Sequence, residues 1–268
     1  MIRKIISGGQ TGADRAALDI AIKFEIPHGG YVPRGRKSED GTVPEKYNMS
    51  ELSTSLYPAR TEKNIQSSDG TLILTRGILT GGSKLTEKLA LKHGKPLCVT
   101  DLKEISEFQA SLKIIKWAVE NQIETLNVAG PRASHDVKIY DMALDVLETV
   151  LYLQETHYAR KDKIYVSGKP RGIPVSLDEA VGFLSDIIPL RERVRIAFLN
   201  QFELESLLSS LSGFIMSNFN IINGNQELLE SCRKHENNTG LINENIPEII
   251  IRNLWVELRK THQLRVIK

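Results

Sequence analysis

The chain has 268 residues, of which 41% are hydrophobic and 25% charged, and its formal net charge is +2. These values are typical of soluble globular proteins, and so small a charge excludes bulk attraction to nucleic acid or to a membrane surface. Two cysteines, Cys98 and Cys232, lie far apart, so we expect reduced thiols and a cytoplasmic protein. We expect neither a signal peptide nor a membrane span, because no apolar run is long enough to cross a bilayer.

Residues 1–155 are predicted to alternate between strands and helices. The expected elements are, in chain order, a strand at Lys4–Ser7, a helix at Ala13–Phe24, a strand at Gly29–Val32, an irregular loop at Pro33–Pro58, a helix at Arg60–Gln66, a strand at Thr71–Thr75, a helix at Thr86–Lys92, a strand at Leu97–Thr100, a helix at Ile105–Glu120, a strand at Thr125–Ala129 and a helix at Ile139–Leu153. Such alternation indicates βαβ units. The expected fold is therefore α/β, a Rossmann-like parallel sheet flanked by helices.

The remaining residues change in character. Residues 156–175 are basic and rich in Gly and Pro, without a clear period, and are predicted to be a linker. Residues 176–268 are predicted to form a small, mostly helical domain, because three apolar stripes follow a helical period. The first stripe begins after Ser176, whose spacing to Glu179 is that of a capping box.

A glycine-rich loop follows the first predicted strand and opens the first helix. It reads Ser7-Gly8-Gly9-Gln10-Thr11-Gly12-Ala13-Asp14-Arg15. Glycines let the backbone approach a ligand closely, and free N–H groups at a helix start attract an anion. No Gly-Lys-Ser/Thr follows, so the loop is not a Walker A motif. The plainer alternative is a tight turn whose glycines serve packing, but three glycines with Gln10 and Thr11 favour ligand binding.

Two more loops share this design. Thr80-Gly81-Gly82-Ser83-Lys84-Leu85-Thr86 precedes a helix, and Ala129-Gly130-Pro131-Arg132-Ala133-Ser134 follows the last predicted strand. All three loops should meet at the carboxyl ends of parallel strands, where open α/β sheets bind ligands.

Side chains near these loops favour an anionic ligand. Arg34, Arg36 and Lys37 lie in the long loop, and Tyr57, Arg60, Thr61 and Asn64 come before the third strand. Arginine suits phosphate groups, and the four-residue spacing puts Arg60 and Asn64 on one helix face. No metal site is expected, because the histidines are scattered and no Cys-x-x-Cys occurs.

Taken together, these motifs resemble the molybdenum cofactor carrier protein family over about residues 1–155. The matching segments include the first loop, Gly30-Tyr31-Val32-Pro33-Arg34-Gly35-Arg36, Glu39-Asp40-Gly41 and the Gly81-Gly82 and Gly130-Pro131-Arg132 turns. The resemblance implies a homo-oligomer that stores or protects the molybdenum cofactor, a phosphorylated pterin, without turnover. The residues expected to bind it are Gly8, Gly9, Gln10, Thr11, Gly12, Asp14, Arg34, Tyr57, Arg60, Thr61, Asn64, Gly81, Gly82, Ser83, Thr86, Gly130 and Arg132.

Two other functions stay open at this point. The loops also resemble, more distantly, the lysine-decarboxylase-like phosphoribohydrolases, for which Arg60 and Glu87 would be the catalytic pair. A third hypothesis is a sensor of a nucleotide-derived ligand that signals through the helical domain. That domain resembles small bacterial domains of unknown activity and could serve a molybdoenzyme or another protein partner.

Overall fold

The computed structural model describes residues 2–158, 164–166 and 169–262. The chain divides into two compact units, Met1–Gln154 and Glu155–Lys268. The elements that begin in the first unit are, in chain order, β1 (Lys4–Ser7), α1 (Ala13–Lys23), β2 (His28–Gly29), β3 (Tyr31–Val32), β4 (Lys37–Ser38), β5 (Gly41–Thr42), β6 (Ser50–Glu51), α2 (Tyr57–Gln66), β7 (Gly70–Thr75), α3 (Gly81–Lys92), β8 (Leu97–Asp101), α4 (Glu107–Glu120), β9 (Thr125–Ala129) and α5 (Ile139–Tyr158).

A five-stranded parallel sheet in the order β2-β1-β9-β7-β8 forms the centre of this unit. All six residues of β7 are buried, as expected for a parallel strand covered on both faces. Leu72 and Leu74 of β7 join Val128 of β9 in one core with the alanines of α1. The predicted Rossmann-like α/β fold is thus confirmed.

The register aligns the ends of the three central strands. Ser7, the last residue of β1, pairs with Val128, and Ile73 pairs with Ala129, the last residue of β9. The loops that follow β1, β7 and β9 therefore leave the sheet at the same edge.

The strand predicted at Gly29–Val32 is not continuous, because the structure divides it into β2 and β3. Gly30 lies between them with φ 126°, and a Cβ there would stand 2.1 Å from the carbonyl oxygen of Ser7. Beyond this turn, β3 leaves the main sheet and pairs with β6. Asn64 holds the start of β3 in place. Its side chain accepts a hydrogen bond from the backbone N–H of Tyr31 at 2.8 Å and donates one to the carbonyl of Tyr31 at 3.2 Å.

The segment predicted as an irregular loop, Pro33–Pro58, contains the short strands β4, β5 and β6. In addition to the β3–β6 pair, β4 and β5 form a short antiparallel hairpin. Arg36 organises the segment from within, because its guanidinium donates to the carbonyls of Val43, Pro44, Tyr47 and Met49 at 3.0–3.3 Å. A side chain counted in the sequence analysis among those that favour an anionic ligand thus satisfies backbone acceptors instead.

The second unit is mostly helical, as predicted. Its elements are β10 (Ile164–Val166), β11 (Lys169–Arg171), α6 (Leu177–Ile187), α7 (Leu190–Ala197), α8 (Gln201–Asn218), α9 (Gln226–Glu236), a 3₁₀ turn (Asn243–Asn245) and α10 (Ile246–Thr261). The hydroxyl of Ser176 accepts from the N–H of Glu179 at 3.3 Å, which confirms the predicted start of α6. The predicted linker, 156–175, lies partly outside the described residues and stays a prediction.

Cys98 and Cys232 are both buried, and neither forms a disulfide in the structure. Within the described part of the chain, every helix is too short or too polar to cross a membrane.

Candidate functional site

A cavity of about 420 Å³ opens where β1, β7 and β9 end. Its lining consists of Gln10, Asp14, Tyr57, Arg60, Thr61, Thr75, Arg76, Ile78, Thr80, Gly81, Gly82, Ser83, Leu85, Thr86, Ala129, Gly130, Pro131, Arg132, His135 and Asp136. A smaller recess shares part of this wall and adds Gly8 and Asn64. All three glycine-rich loops thus contribute to one site, and each supplies residues that the sequence analysis proposed.

Gly8 makes room for an arginine at the inner end of the cavity. A Cβ at Gly8 would stand 1.1 Å from Nη1 of Arg60, so only glycine leaves space for the guanidinium. The same Nη1 lies 3.4 Å from Oδ2 of Asp14, and both side chains are nearly buried. Burial raises the pKa of the Asp14 carboxyl, and the charge of Arg60 and a hydrogen bond from the Gln10 backbone offset this only in part. The Asp14–Arg60 pair is therefore held in a desolvated setting.

Gln10 presents a donor whose orientation is fixed. Its Oε1 accepts from the backbone N–H groups of Thr11 at 3.3 Å and of Glu39 at 2.9 Å. The amide cannot flip without losing both bonds, so its Nε2 must remain the donor end. That Nε2 is buried and has no hydrogen-bond partner, and the same is true of the Nε of Arg60. A buried donor without an acceptor costs free energy, which a ligand acceptor would recover.

Helix α3 directs an uncapped N-terminus at the cavity. Its N-cap residue, Thr80, makes no side-chain cap hydrogen bond, and no acidic residue lies in the first turn. A Cβ at Gly81 or Gly82 would meet no atom within 4 Å. Bare backbone N–H groups at a helix N-terminus are suited to phosphate and other anions.

Tyr57 links two arginines across the cavity wall. The Cζ atom of Arg60 lies 5.9 Å from the centre of the Tyr57 ring, and that of Arg132 lies 5.4 Å from it. Guanidinium groups so placed interact favourably with the ring and lose mobility. The wall is thus cationic and preorganised.

The sequence analysis missed a second ion pair in the cavity lining. Nη1 of Arg76 donates to both carboxylate oxygens of Asp136, at 2.9 and 3.1 Å, while Nε of Arg76 is buried without a partner. His135 also lines the cavity. The signal for Arg76 was its position, because it directly follows the strand that ends at Thr75.

Four predicted binding residues line neither the cavity nor the smaller recess. Arg34 is exposed. Gly9 has φ 69° and faces Val43, and Gly12 has φ 76° and lies against the carbonyl of Pro131. The Thr11 hydroxyl donates to Glu39 and accepts from the backbone N–H of Ala133 at 3.1 Å. Gly9, Gly12 and Thr11 shape the loops around the site, whereas Arg34 does not approach it.

Glu87, proposed as a catalytic residue in the hydrolase hypothesis, is also absent from the cavity lining. Its carboxylate forms an ion pair with Lys84, three residues earlier on α3. The carboxylates in the lining, Asp14 and Asp136, are both paired with arginines. Among the described residues, no group of three or more His, Cys, Asp or Glu side chains could hold a metal ion.

The tip of the β4–β5 hairpin is attached to two of the glycine-rich loops. Glu39 accepts from Thr11 and from the backbone N–H of Ser134 at 3.2 Å, and Asp40 is paired with Arg15. Hydrogen bonds from Arg15 and Ser38 lower the pKa of Asp40 from 3.8 to about 2. The hairpin thus lies beside the cavity and is fixed there by acidic side chains.

We expect the hairpin tip to loosen in acid before the sheet does. A carboxyl group whose pKa is lowered by folding stabilises the folded state at pH values above its ordinary pKa. This stabilisation is lost as the pH falls through the pKa of the group in the folded state. For Asp40 this loss occurs between pH 3.8 and about pH 2. Hydrogen exchange, corrected for intrinsic rates, should show the Val43 amide losing protection in that window while β7 amides keep theirs. Asp40→Asn should remove the contribution of Asp40 to this pH dependence and leave that of Glu39, whose pKa is lowered, against the opposing effect of burial, by hydrogen bonds from Ser134 and Thr11. A profile unchanged by Asp40→Asn would contradict the account.

Comparisons with known proteins identify relatives of the first unit. The family model described as "cpYpsA: Circularly permutated YpsA SLOG family" matches residues 5–151. A protein from Syntrophus aciditrophicus SB, named "Putative molybdenum carrier protein", has a similar crystal structure with 56% sequence identity and a TM-score of 0.56. The match covers 56% of this chain and 95% of that one. Comparison with curated proteins gives no match. The resemblance that the sequence motifs carry is confirmed.

Proposed function

The chain belongs to the circularly permutated YpsA SLOG family, and we propose that it is a carrier that binds the molybdenum cofactor in the cavity where β1, β7 and β9 end. The observation that carries the proposal is the convergence on one cavity of donors without a partner: Nε2 of Gln10, the Nε atoms of Arg60 and Arg76, and the backbone N–H groups of the α3 N-terminus. Such a lining favours a ligand rich in acceptors and negative charge.

The donor set fits the groups of a phosphorylated pterin that carries an oxo-metal head. The bare backbone at Gly81 and Gly82 suits a terminal phosphate, because a phosphate needs several N–H groups at short range. Arg60 and Arg132 suit further oxyanions, and the Tyr57 ring between them offers an apolar surface to a heteroaromatic ring. The volume, about 420 Å³, lies within the range of about 300–1,000 Å³ typical of small-molecule sites.

The geometry gives less support to hydrolysis. A general acid or base must lie within hydrogen-bond reach of the reacting atoms. Glu87 lies outside the lining and is paired with Lys84, and the two lining carboxylates are neutralised by arginines. Binding without turnover is therefore the function that the site supports best.

The test compares the wild-type chain with Gly82→Ala, both purified anaerobically from the same cofactor-producing cells. Molybdenum per chain is measured by mass spectrometry, and stability by thermal unfolding. An added methyl at Gly82 meets no protein atom, and alanine is the better helix former, so the fold should be unharmed. The methyl would keep the ligand from the backbone, and loss of hydrogen bonds to a charged group, about 1.5–3 kcal/mol, should lower retention at least about tenfold.

Glu87→Gln is the matched control on the same helix. It should retain as much molybdenum as the wild-type chain, since Glu87 does not line the cavity. Equal molybdenum in wild type and Gly82→Ala would contradict the assignment of the α3 N-terminus. A bound nucleotide without molybdenum, with turnover lost in Glu87→Gln, would overturn the proposal in favour of the hydrolase.

A further inference from the structure

The second unit contains a cleft of about 740 Å³ between the end of α7 and the last turns of α10. We call it the C-terminal cleft. Its lining is Ala197, Phe198, Leu199, Trp255, Val256, Arg259, Lys260 and His262. One part is therefore apolar and the other basic, and the described residues that line it include no carboxylate.

The apolar part of the C-terminal cleft is preformed. The indole N–H of Trp255 donates to the carbonyl of Leu199 at 3.1 Å, and the Cζ atom of Arg259 lies 4.7 Å from the centre of the indole ring. Phe198 remains 54% exposed and Val256 43% exposed. Contiguous apolar surface that stays exposed marks interaction sites in soluble proteins.

A complementary feature lies a few residues away in the chain. Phe202, in the first turn of α8, is 82% exposed. Two glutamates follow it closely, and one of them, Glu203, is used in capping α8, since it accepts from the Asn200 N–H at 2.9 Å. The other, Glu205, is exposed and has no ion-pair partner among the described residues. The unit thus exposes an aromatic ring beside a carboxylate, close in sequence to an apolar and basic cleft.

We propose that the C-terminal cleft binds a second copy of this chain, with Phe202 of one copy entering the cleft of the other and Glu205 facing Lys260. The two halves of the contact belong to one patch, because only Asn200 and Gln201 separate Leu199, in the cleft lining, from Phe202. A patch that carries both a projection and its complement is self-complementary, which is the requirement for a two-fold symmetric dimer. Opposite charges across the contact set its register and exclude partners of the wrong sign.

The test is charge-swap complementation, measured on the full chain by sedimentation velocity over a range of concentrations. Glu205→Lys places two lysines opposite each other at both contacts of the dimer, and Lys260→Glu places two glutamates there. Each variant alone should self-associate at least tenfold more weakly than the wild-type chain. An equimolar mixture should recover the wild-type dissociation constant, because both contacts of the mixed dimer are then attractive.

Two more variants complete the experiment. Phe202→Glu should weaken association in a way that no mixture restores, and circular dichroism shows whether each variant is folded. Lys234→Glu is the control, since it makes the same charge change at an exposed position of α9 outside the cleft lining. A wild-type chain that is monomeric at every concentration would overturn the proposal. Swap variants that assemble like the wild type, as expected if only the first unit mediates assembly, would overturn it as well.

Discussion

Replacing Arg60 by methionine is expected to lower the free energy of unfolding by about 3 kcal/mol at neutral pH, because it leaves the buried carboxylate of Asp14 without its counter-charge. The side chains of Arg60 and Asp14 are only 12% and 7% exposed, so little solvent screens the pair. Methionine keeps most of the aliphatic length, which limits the packing loss. Ligand retention should fall about tenfold to a hundredfold, as for the loss of a charge-assisted hydrogen bond.

The pH dependence distinguishes a lost ion pair from a lost packing contact. Burial already raises the pKa of Asp14, and without Arg60 it rises further. The stability deficit is then fully present above the raised pKa and shrinks as the pH falls, because protonation removes the uncompensated charge. Denaturant unfolding at a series of pH values would measure this. A deficit that stays constant with pH would contradict the assignment.

A second substitution provides the control for charge. In the wild-type chain the backbone nitrogen of Gln10 lies 3.2 Å from Oδ2 of Asp14. Asp14→Asn removes the buried charge but keeps a side-chain oxygen that can accept this hydrogen bond. The Asp14→Asn/Arg60→Met double variant should therefore regain about half of the stability lost in Arg60→Met, as expected for neighbours that are energetically coupled.

Gly12→Ala is expected to have the other large effect, a loss of about 2–5 kcal/mol in the free energy of unfolding, from backbone strain and overpacking. Gly12 has φ 76°, and a Cβ there would stand 2.4 Å from the carbonyl oxygen of Pro131 and 2.9 Å from the backbone nitrogen of Ala133. Both are backbone atoms, so the two loops would have to move apart.

Gly81→Ala isolates the steric part of this loss. Gly81 also has a positive φ, 48°, but a Cβ there would meet no atom within 4 Å. In the ligand-free protein it should cost only the strain of the left-handed conformation, about 1–2 kcal/mol. Equal losses for Gly12→Ala and Gly81→Ala in denaturant unfolding would contradict the close packing of the first loop against the β9–α5 loop.

The sequence predicted the position of the site better than its detailed lining. The glycine-rich loops could be located because each lies between a strand of the parallel sheet and the next helix, and that topology brings the loops together at one edge. Arg60 could be proposed from its place on a helix face. That Gly8 must lack a side chain to leave room for Arg60 is visible only in the structure, because the two residues are far apart in sequence. Arg76 was missed because its one signal, a position directly after a strand, does not by itself separate it from a surface residue.

The long loop shows where local patterns fail. Pro33–Pro58 has the composition of irregular structure, and short strands of two residues carry no readable period. Its order depends on contacts distant in sequence, among them Glu39 with Ser134 and Asp40 with Arg15. The start of α3 at Gly81 was likewise missed, because glycines are poor helix formers and only tertiary context places them in the first turn.

The most direct test of the carrier proposal is anomalous diffraction at the molybdenum absorption edge from crystals of the protein purified with its ligand. We predict one anomalous peak per chain, inside the cavity lined by Gln10, Arg60, Gly82 and Arg132. Electron density for a phosphorylated pterin should extend from it, with the phosphate at the α3 N-terminus. A peak elsewhere on the chain, or a cavity that holds a nucleotide and no molybdenum, would contradict the account.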